Sequence, residues 1–379
     1  MPTLIMVEWR RKTTFVLVIS VAVYAFFKNV SDPPRLRHIA SKREKQPSLW
    51  EPQARESCEC VDHNKPNLRR ETAITYSDRC SPQESEYISR HNPSENSNCP
   101  DSVAWTRKLL DLSQEKESVT LMSIGCNRGD DLLIRFREWS RNSSYSFNAI
   151  QDEYQVIFGS VMRACNLPAM LDPPVGPPRT ARAFCVEPMI STFHAVHETF
   201  KKHDWDTSIH FINAAVSSVP GEAQFPISHA GMEALGLGMV SSDGAYTVNV
   251  TTIDKIVSDF QVDEIDMLSI DTEGNDARAI LGAIHTLPIV RFLEFEYHWV
   301  GRWAQSDLQD IIDLLDQFMF DCYWQGNQGQ LWKITGCWHD SYYQKRGWSN
   351  VGCVKRSETI LHEYMEEIAR RDIGTWNST

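Results

Sequence analysis

Short apolar runs of strand length alternate with amphipathic stretches of helix length from about residue 118 onwards. Seven apolar runs are visible, and they lie at 119–124, 181–186, 208–216, 265–270, 290–297, 318–324 and 350–355. Parallel strands need a crossover connection, which is usually a helix, so this alternation is typical of helices packed on a mainly parallel sheet. We therefore predict an α/β domain with a seven-stranded, mainly parallel sheet.

Glycine and acidic residues follow three of these runs. The loop Gly125–Gly129 follows the first run, Glu187 follows the second, and Asp271 and Glu273 follow the fourth. Sheets of this class bind ligands at the carboxyl ends of their strands, where a glycine loop admits a close backbone approach and an acid accepts hydrogen bonds from ribose hydroxyls. Each feature alone is common in ordinary turns. Their combination at three strand ends predicts a nucleoside-binding site.

The same strand ends carry motifs that resemble the FkbM-like family of S-adenosylmethionine-dependent methyltransferases. SIGCNRGDD resembles the first cofactor motif of that family and FCVEP resembles the second. INAAVSSVPGEAQF, RFLEFEYH and above all VNVTTIDKIV followed by IDMLSIDTEGNDARAILGA resemble later segments. The resemblance covers residues 119–298. It implies a class I methyltransferase (Rossmann-like) fold, S-adenosyl-L-methionine as cofactor, and transfer of a methyl group, usually to a hydroxyl. The secretory compartment inferred below favours a hydroxyl of a glycan, with a small molecule as the other acceptor class.

The resemblance also implies roles for individual residues. The residues expected to bind the cofactor are Gly125, Asn127, Gly129, Asp130, Glu187, Asn213 and Ala214. The candidate bases for the acceptor proton are Asp271, Glu273, Glu296 and His298. Among these bases the motif favours Asp271, whereas the ordinary pKa of a histidine favours His298. No metal is expected, because methyl transfer from a sulfonium does not require one and no H-E-x-x-H motif is present.

An uncharged, mostly apolar segment runs from Thr13 to Phe27, with basic residues on both sides. At 1.5 Å per residue it falls short of a hydrocarbon core of about 30 Å, but flanking basic side chains can extend it. The bulky exit Phe26-Phe27-Lys28 does not resemble a cleavage site. We therefore predict a short tail over 1–14 and a transmembrane signal anchor over 15–30, and the alternatives are a cleaved signal peptide and a buried helix.

The remaining segments differ in composition. Residues 31–99 are rich in Pro, Ser, Asn and charge and predict a stem, residues 100–358 predict the methyltransferase domain, and residues 359–379 predict a C-terminal helix and tail. Ten cysteines and sequons at Asn142, Asn249 and Asn377 suggest a disulfide-bonded body in the Golgi or another secretory-pathway membrane. A cytosolic body is the alternative, because the cofactor is made in the cytosol.

The formal net charge of −12 argues against a nucleic-acid partner, because phosphate binding needs a basic face.

Two other function classes share some of the features described above. An anchored α/β body also describes a Golgi glycosyltransferase, in which Asp204-Trp205-Asp206 would hold a metal and a nucleotide sugar. A catalytically inactive ectodomain that retains the fold is the third reading.

Overall fold

A computed structural model describes residues 80–91, 93, 103–159, 176–239, 241–298, 301, 303, 306–344 and 348–376. They belong to a compact unit that spans Thr72–Thr379. The predicted signal anchor and most of the predicted stem lie outside the described residues. Within them, no helix combines the length and apolar character that a membrane crossing requires.

Helices and strands alternate along the described chain. The α-helices are α1 Pro82–Arg90, α2 Val103–Leu112, α3 Asp130–Ser140, α4 Phe147–Phe158, α5 Ile190–Lys202, α6 Ile253–Phe260, α7 Asp276–Leu281, α8 Leu308–Gln317 and α9 Thr359–Trp376. The strands are β1 Ser118–Ile124, β2 Thr180–Val186, β3 Ile209–Ile212, β4 Ala215–Val216, β5 Gly221–Pro226, β6 Ala245–Thr251, β7 Ile265–Ile270, β8 Val290–Tyr297, β9 Phe320–Gln325, β10 Leu331–Lys333 and β11 Ser349–Lys355.

The main sheet has eight strands in the order β10-β9-β11-β8-β7-β1-β2-β3. Strands β3, β2, β1, β7 and β8 run parallel, whereas β11 enters antiparallel between β8 and β9. The strand order reverses between β1 and β7, because the chain moves outwards from β1 to β3 and then returns to the other side. This Rossmann-like, mostly parallel sheet confirms the predicted fold class.

Apolar residues on both faces explain why these strands are central. Met122 and Ile124 of β1 pack in the core on one face of the sheet, and Val119 and Leu121 pack in the core on the other. Strand β7 is buried along nearly its whole length. A strand covered by helices on both faces needs apolar side chains in both directions, as is typical of a parallel sheet.

The predicted strand over 208–216 is wrong as a single element. Its first half is β3 in the main sheet, whereas Ala215–Val216 is β4 in a separate sheet of order β4-β6-β5. The chain bends at Asn213, whose Nδ2 donates to the carbonyl oxygens of Glu187 at 2.8 Å and Pro188 at 3.3 Å. The main sheet also gains the short strand β10, so it has eight strands rather than seven.

Part of the predicted stem belongs to the packed body. Helix α1 begins with a capping box between Ser81 and Glu84, and its Tyr87 and Ile88 are buried in the main core. Cys80, just before the helix, is disulfide-bonded to Cys337. The packed body therefore begins at or before Cys80 rather than at residue 100.

Candidate active site

Backbone hydrogen bonds tie the carboxyl ends of three strands together. Gly125 N–H donates to Val186 O at 2.8 Å, and Asp271 N–H donates to Ile124 O at 2.8 Å. A Cβ atom placed on Gly125, whose φ is +79°, would lie 1.7 Å from the carbonyl oxygen of Asp271. Only glycine allows this approach, so the loop after β1 and the turn after β7 meet at Gly125.

The loop Gly125–Gly129 connects β1 tightly to α3. Gly129 N–H donates to Cys126 O at 2.7 Å, and Gly129 itself has a φ of +72°. A disulfide joins Cys126 of this loop to Cys185 near the end of β2. Gly129 makes the turn between β1 and α3. It does not line either of the two cavities that are described below.

Glu187, at the end of β2, is held by two backbone donors. Its Oε2 accepts from Asn127 N–H at 2.9 Å and its Oε1 accepts from Met189 N–H at 2.8 Å. Burial raises the pKa of Glu187 to about 7, and nearby Glu273 raises it further, while the two backbone donors oppose the shift. The carboxyl is thus fixed in place, and it titrates near neutral pH.

A small pocket lies between these strand ends. Six of the residues predicted from the sequence line it, namely Gly125, Asn127, Glu187, Ala214, Asp271 and Glu273. Asn213 does not line it, because its side chain holds the carbonyls described above. The remaining space is about 60 Å³, which suits a few water molecules and not a nucleoside.

The loop between β5 and β6 narrows this pocket. Met232, Leu235 and Leu237 of the loop line it. Ala234 N–H donates to Oε1 of Glu273 at 2.7 Å. Leu237 belongs to a glycine-rich stretch that follows β5, so this part of the loop lies against the small pocket.

A second, larger cavity of about 680 Å³ opens on the other side of the same strand ends. It is rich in acidic side chains, which are Asp130, Asp131, Glu233, Asp271, Glu273, Glu294 and Glu296. Its two arginines are engaged by acids of the same wall, because Arg135 lies 3.0 Å from Glu294 and Arg128 lies 3.5 Å from Asp130. The cavity is therefore predominantly acidic. It shares Gly125, Asn127, Asp271 and Glu273 with the small pocket.

Carboxyl groups crowd together where the two cavities meet. Asp271 is hydrogen-bonded to Glu296, and the pKa of each lies well above its ordinary value. Asp271 is exposed where it lines the two cavities, but nearby protein still desolvates its carboxyl group. Burial is accordingly the largest cause of both shifts, and repulsion among Asp271, Glu273, Asp276 and Glu296 adds to it. Burial and mutual repulsion therefore both favour the protonated forms of these carboxyl groups.

His298 lies behind Glu296 and lines neither cavity. Its side chain is buried, with Nε2 3.2 Å from Oε2 of Glu296, and its ring lies 5.5 Å from that of Trp348. Burial lowers the pKa of His298, and Asp276 and Glu273 oppose that shift. The neutral imidazole is therefore favoured.

Two functional residues were missed by the sequence reasoning. Asp276 accepts from the backbone N–H of Thr272 at 3.1 Å and of Gly274 at 3.2 Å, so it shapes the turn that carries Asp271. Asn275 donates from Nδ2 to Val216 O at 2.7 Å and lines the small pocket. Both belong to the IDTEGNDARAILGA stretch, so a signal was present in the motif.

The comparisons with known proteins agree with this geometry. A family model described as Methyltransferase FkbM domain matches residues 90–322. No curated protein matches the chain. The match to this family supports S-adenosylmethionine as the cofactor.

Solved structures show only weak likeness. The METTL16 methyltransferase domain has 8% identity and a TM-score of 0.31, covering 66% of this chain and 65% of that one, which is less than two thirds of its length. The N-terminal domain of human METTL16 in complex with SAH has 8% identity and a TM-score of 0.31, covering 67% of this chain and 68% of that one. Cofactor-bound Rv0187 from MTB has 12% identity and a TM-score of 0.29, covering 73% and 91%.

The family model alone covers more than half of the chain, and it includes the strand ends that form both cavities. The chain belongs to the FkbM methyltransferase family.

Proposed function

We propose that this chain transfers the methyl group of S-adenosylmethionine to a hydroxyl group of a glycan or small molecule. The observation that carries the proposal is the wall shared by the two cavities. Gly125, Asn127, Asp271 and Glu273 line both the small pocket and the large acidic cavity. A methyl group presented at this wall from one cavity reaches an acceptor in the other.

The small pocket has the chemistry that the cofactor requires. Asn127 Oδ1, Thr272 Oγ1 and Asn275 Oδ1 line it, are buried, and have no hydrogen-bond partner in the described part of the chain. The amino and hydroxyl groups of S-adenosylmethionine supply donors of the kind these oxygens lack. Glu187 would accept hydrogen bonds from the ribose hydroxyls of the cofactor, and Ala214 would lie beside its adenine ring.

The small pocket must widen before a nucleoside enters. Pockets for molecules of this size measure about 300–1,000 Å³, against about 60 Å³ here. The loop that carries Met232, Leu235 and Leu237 is the part of the wall that is not a strand end. We propose that this loop moves outwards to admit the cofactor and then covers it.

The acidic group at the shared wall supplies the base. When bound, S-adenosylmethionine supplies a methyl carbon whose bond to sulfur breaks as the acceptor oxygen bonds to that carbon, and the electron pair remains on sulfur. Asp271 takes the hydroxyl proton that this step releases. A raised pKa makes the deprotonated carboxylate of Asp271 a stronger base. Glu296, which is hydrogen-bonded to Asp271, helps to hold that carboxyl group in place.

The test separates cofactor binding from methyl transfer. We expect calorimetry to show one molecule of S-adenosylhomocysteine bound per chain. Asp271→Asn should retain that binding and lose about 10²–10⁴-fold in transfer of labelled methyl to a glycan extract, the range that a positioned base contributes. Asp206→Asn, which changes an acid outside both cavities, is the matched control and should keep full activity. An Asp271→Asn chain with normal transfer would remove Asp271 from the mechanism.

The glycosyltransferase reading has less support. Asp204-Trp205-Asp206 lies just before β3, at the edge of the sheet opposite the ligand-facing strand ends. Trp205 is buried in the core between the two acids. Tight binding of a nucleotide sugar, with no binding of S-adenosylhomocysteine, would restore this alternative.

We also propose that the body lies in the secretory pathway and is tethered by the N-terminal segment. Three disulfides within the described residues, Cys80–Cys337, Cys126–Cys185 and Cys322–Cys353, support an oxidising compartment. Asn249 is exposed on β6, where a glycan could be attached. A mass loss of the full-length chain on glycosidase treatment tests this proposal, and an unchanged mass would contradict a lumenal body.

A further inference from the structure

A cluster of three potential metal ligands lies at the acidic end of the large cavity. One carboxylate oxygen each from Glu273 and Glu296 and one ring nitrogen of His298 lie within 4.8 Å of one another. Ligand atoms about 2.0–2.1 Å from a tetrahedral zinc ion lie about 3.3 Å from one another, so a modest adjustment brings all three into range. Glu296 lies in β8 and His298 follows the strand directly, so the two residues are on the same side of the chain, whereas Glu273 comes from the turn after β7.

The carboxylates of this cluster have no basic partner in the described part of the chain. No lysine or arginine lies within ion-pair distance of Glu273, Glu296 or the adjacent Asp271 there. Oε2 of Glu273 and Oε2 of Glu296 are buried and accept no hydrogen bond from any described residue. Buried carboxylate oxygens without donors are costly, and proteins offset them by pairing or by metal coordination.

A second cluster in the same molecule shows the contrast. Asp321, His362 and Glu366 satisfy the same distance criterion. In that cluster Arg356 contacts Asp321 at 2.7 Å and Lys333 contacts Glu366, so basic side chains already neutralise the acids. The second cluster is a salt-bridge network, whereas among the described residues no lysine or arginine neutralises the carboxylates of the first cluster.

We propose that Glu273, Glu296 and His298 bind one divalent transition-metal ion, such as Mn²⁺ or Zn²⁺. Two carboxylates with one imidazole suit these ions better than Mg²⁺ or Ca²⁺, which favour oxygen ligands alone. Oε1 of Glu273 is held by Ala234 N–H, which leaves Oε2 to face the ion. Three protein ligands leave positions open towards the large cavity, where an acceptor hydroxyl can coordinate.

The ion would serve the acceptor side of the reaction, so this inference rests on the proposed methyl transfer. A hydroxyl bound to a divalent ion loses its proton more readily, because the ion stabilises the alkoxide charge. Asp271, which the proposed function assigns as the base, lines the same cavity as Glu273 and Glu296. The substrate class implied is a polyhydroxylated acceptor that can ligate a metal through its hydroxyl oxygens, as a sugar does.

The test measures metal binding directly on the full-length chain. The chain is stripped with a chelator and titrated with MnCl₂ under electron paramagnetic resonance and with ZnCl₂ by calorimetry. We expect one ion per chain. Loss of an outer partner of a metal ligand already costs about 10–100-fold in affinity, so Glu296→Gln and His298→Gln, which remove ligands, should each cost at least as much. His362→Gln makes the same change in the second cluster and should leave binding intact.

Binding of S-adenosylhomocysteine to the same samples separates the two proposals and confirms that each variant is folded. If S-adenosylhomocysteine binds but neither ion binds stoichiometrically, the metal site is refuted while the methyl-transfer proposal stands. If the ion binds and S-adenosylhomocysteine does not, the proposed function fails instead. Metal affinity that His362→Gln lowers as much as His298→Gln, or that Glu296→Gln leaves unchanged, would also overturn the assignment.

Discussion

Replacing Gly125 with alanine tests the close approach between the first strand end and the Asp271 turn. In the structure an added Cβ would lie 1.7 Å from the carbonyl oxygen of Asp271, and the residue has a φ of +79°. The backbone must therefore separate at the wall shared by the two cavities. We expect Gly125→Ala to lose both stability and affinity for S-adenosylhomocysteine.

The magnitude follows from two costs. A left-handed backbone conformation costs an alanine about 1–2 kcal/mol relative to glycine. Relieving the contact with Asp271 adds about 1–3 kcal/mol, the usual cost of an overpacked position. The sum for Gly125→Ala is about 2–5 kcal/mol in the free energy of unfolding.

Gly159 provides the matched control. It has a φ of +68°, but nothing lies within 4 Å of an added Cβ. Gly159→Ala should therefore lose only the conformational part, about 1–2 kcal/mol. Urea denaturation gives both free energies, and calorimetry with S-adenosylhomocysteine gives both affinities. Equal destabilisation of the two variants, with cofactor affinity retained in Gly125→Ala, would refute the reasoning.

Other predictions concern the walls of the small pocket. Folding raises the pKa of Glu187 from 4.5 to about 7. Between these two pH values the folded state binds a proton that the unfolded state has lost, so the free energy of unfolding should fall by about 3 kcal/mol as the pH rises from 4.5 to 7. Glu187→Gln should flatten this part of the pH profile in urea denaturation and weaken S-adenosylhomocysteine binding; an unchanged profile would argue against the shift. Replacing Cys126 and Cys185 by alanine removes a disulfide that joins residues 59 positions apart. The unfolded chain gains conformational entropy, so the free energy of unfolding should fall by about 4 kcal/mol in urea denaturation. An unchanged free energy of unfolding would contradict this account. Leu237→Ala should widen the entrance and speed association of S-adenosylhomocysteine in stopped-flow measurements, and an unchanged rate would show that the loop does not limit entry.

Local sequence signals were sufficient for the fold class and for the strand ends. Strands β1, β2, β7 and β8 were predicted within a residue or so, because long apolar runs flanked by turn residues determine buried parallel strands. Motifs directly after those strands placed Gly125, Glu187 and Asp271 at one edge, since the carboxyl ends of parallel neighbours coincide.

Features that depend on distant partners could not be predicted. The run over 208–216 is continuous in hydrophobicity, but it splits because β4 finds its hydrogen-bonding partner in β6, which lies more than thirty residues later. The role of Met232 and Leu237 depends on the β5–β6 loop folding back over the pocket. The proximity of Glu273 to His298 depends on β7 lying beside β8, and the alternation within β8 indicated only that Glu296 and His298 share a side.

The antiparallel entry of β11 has a consequence for how such an enzyme can diversify. Because β11 begins at the edge where its parallel neighbours end, Trp348 and Asn350 lie in the large cavity and not in the small pocket. Under the proposed function, exchanges at Trp348 and Asn350 would reshape the acceptor side without altering a residue that lines the small pocket. The identity of the methylated hydroxyl could then evolve through the start of one strand, independently of the residues proposed to hold the methyl donor.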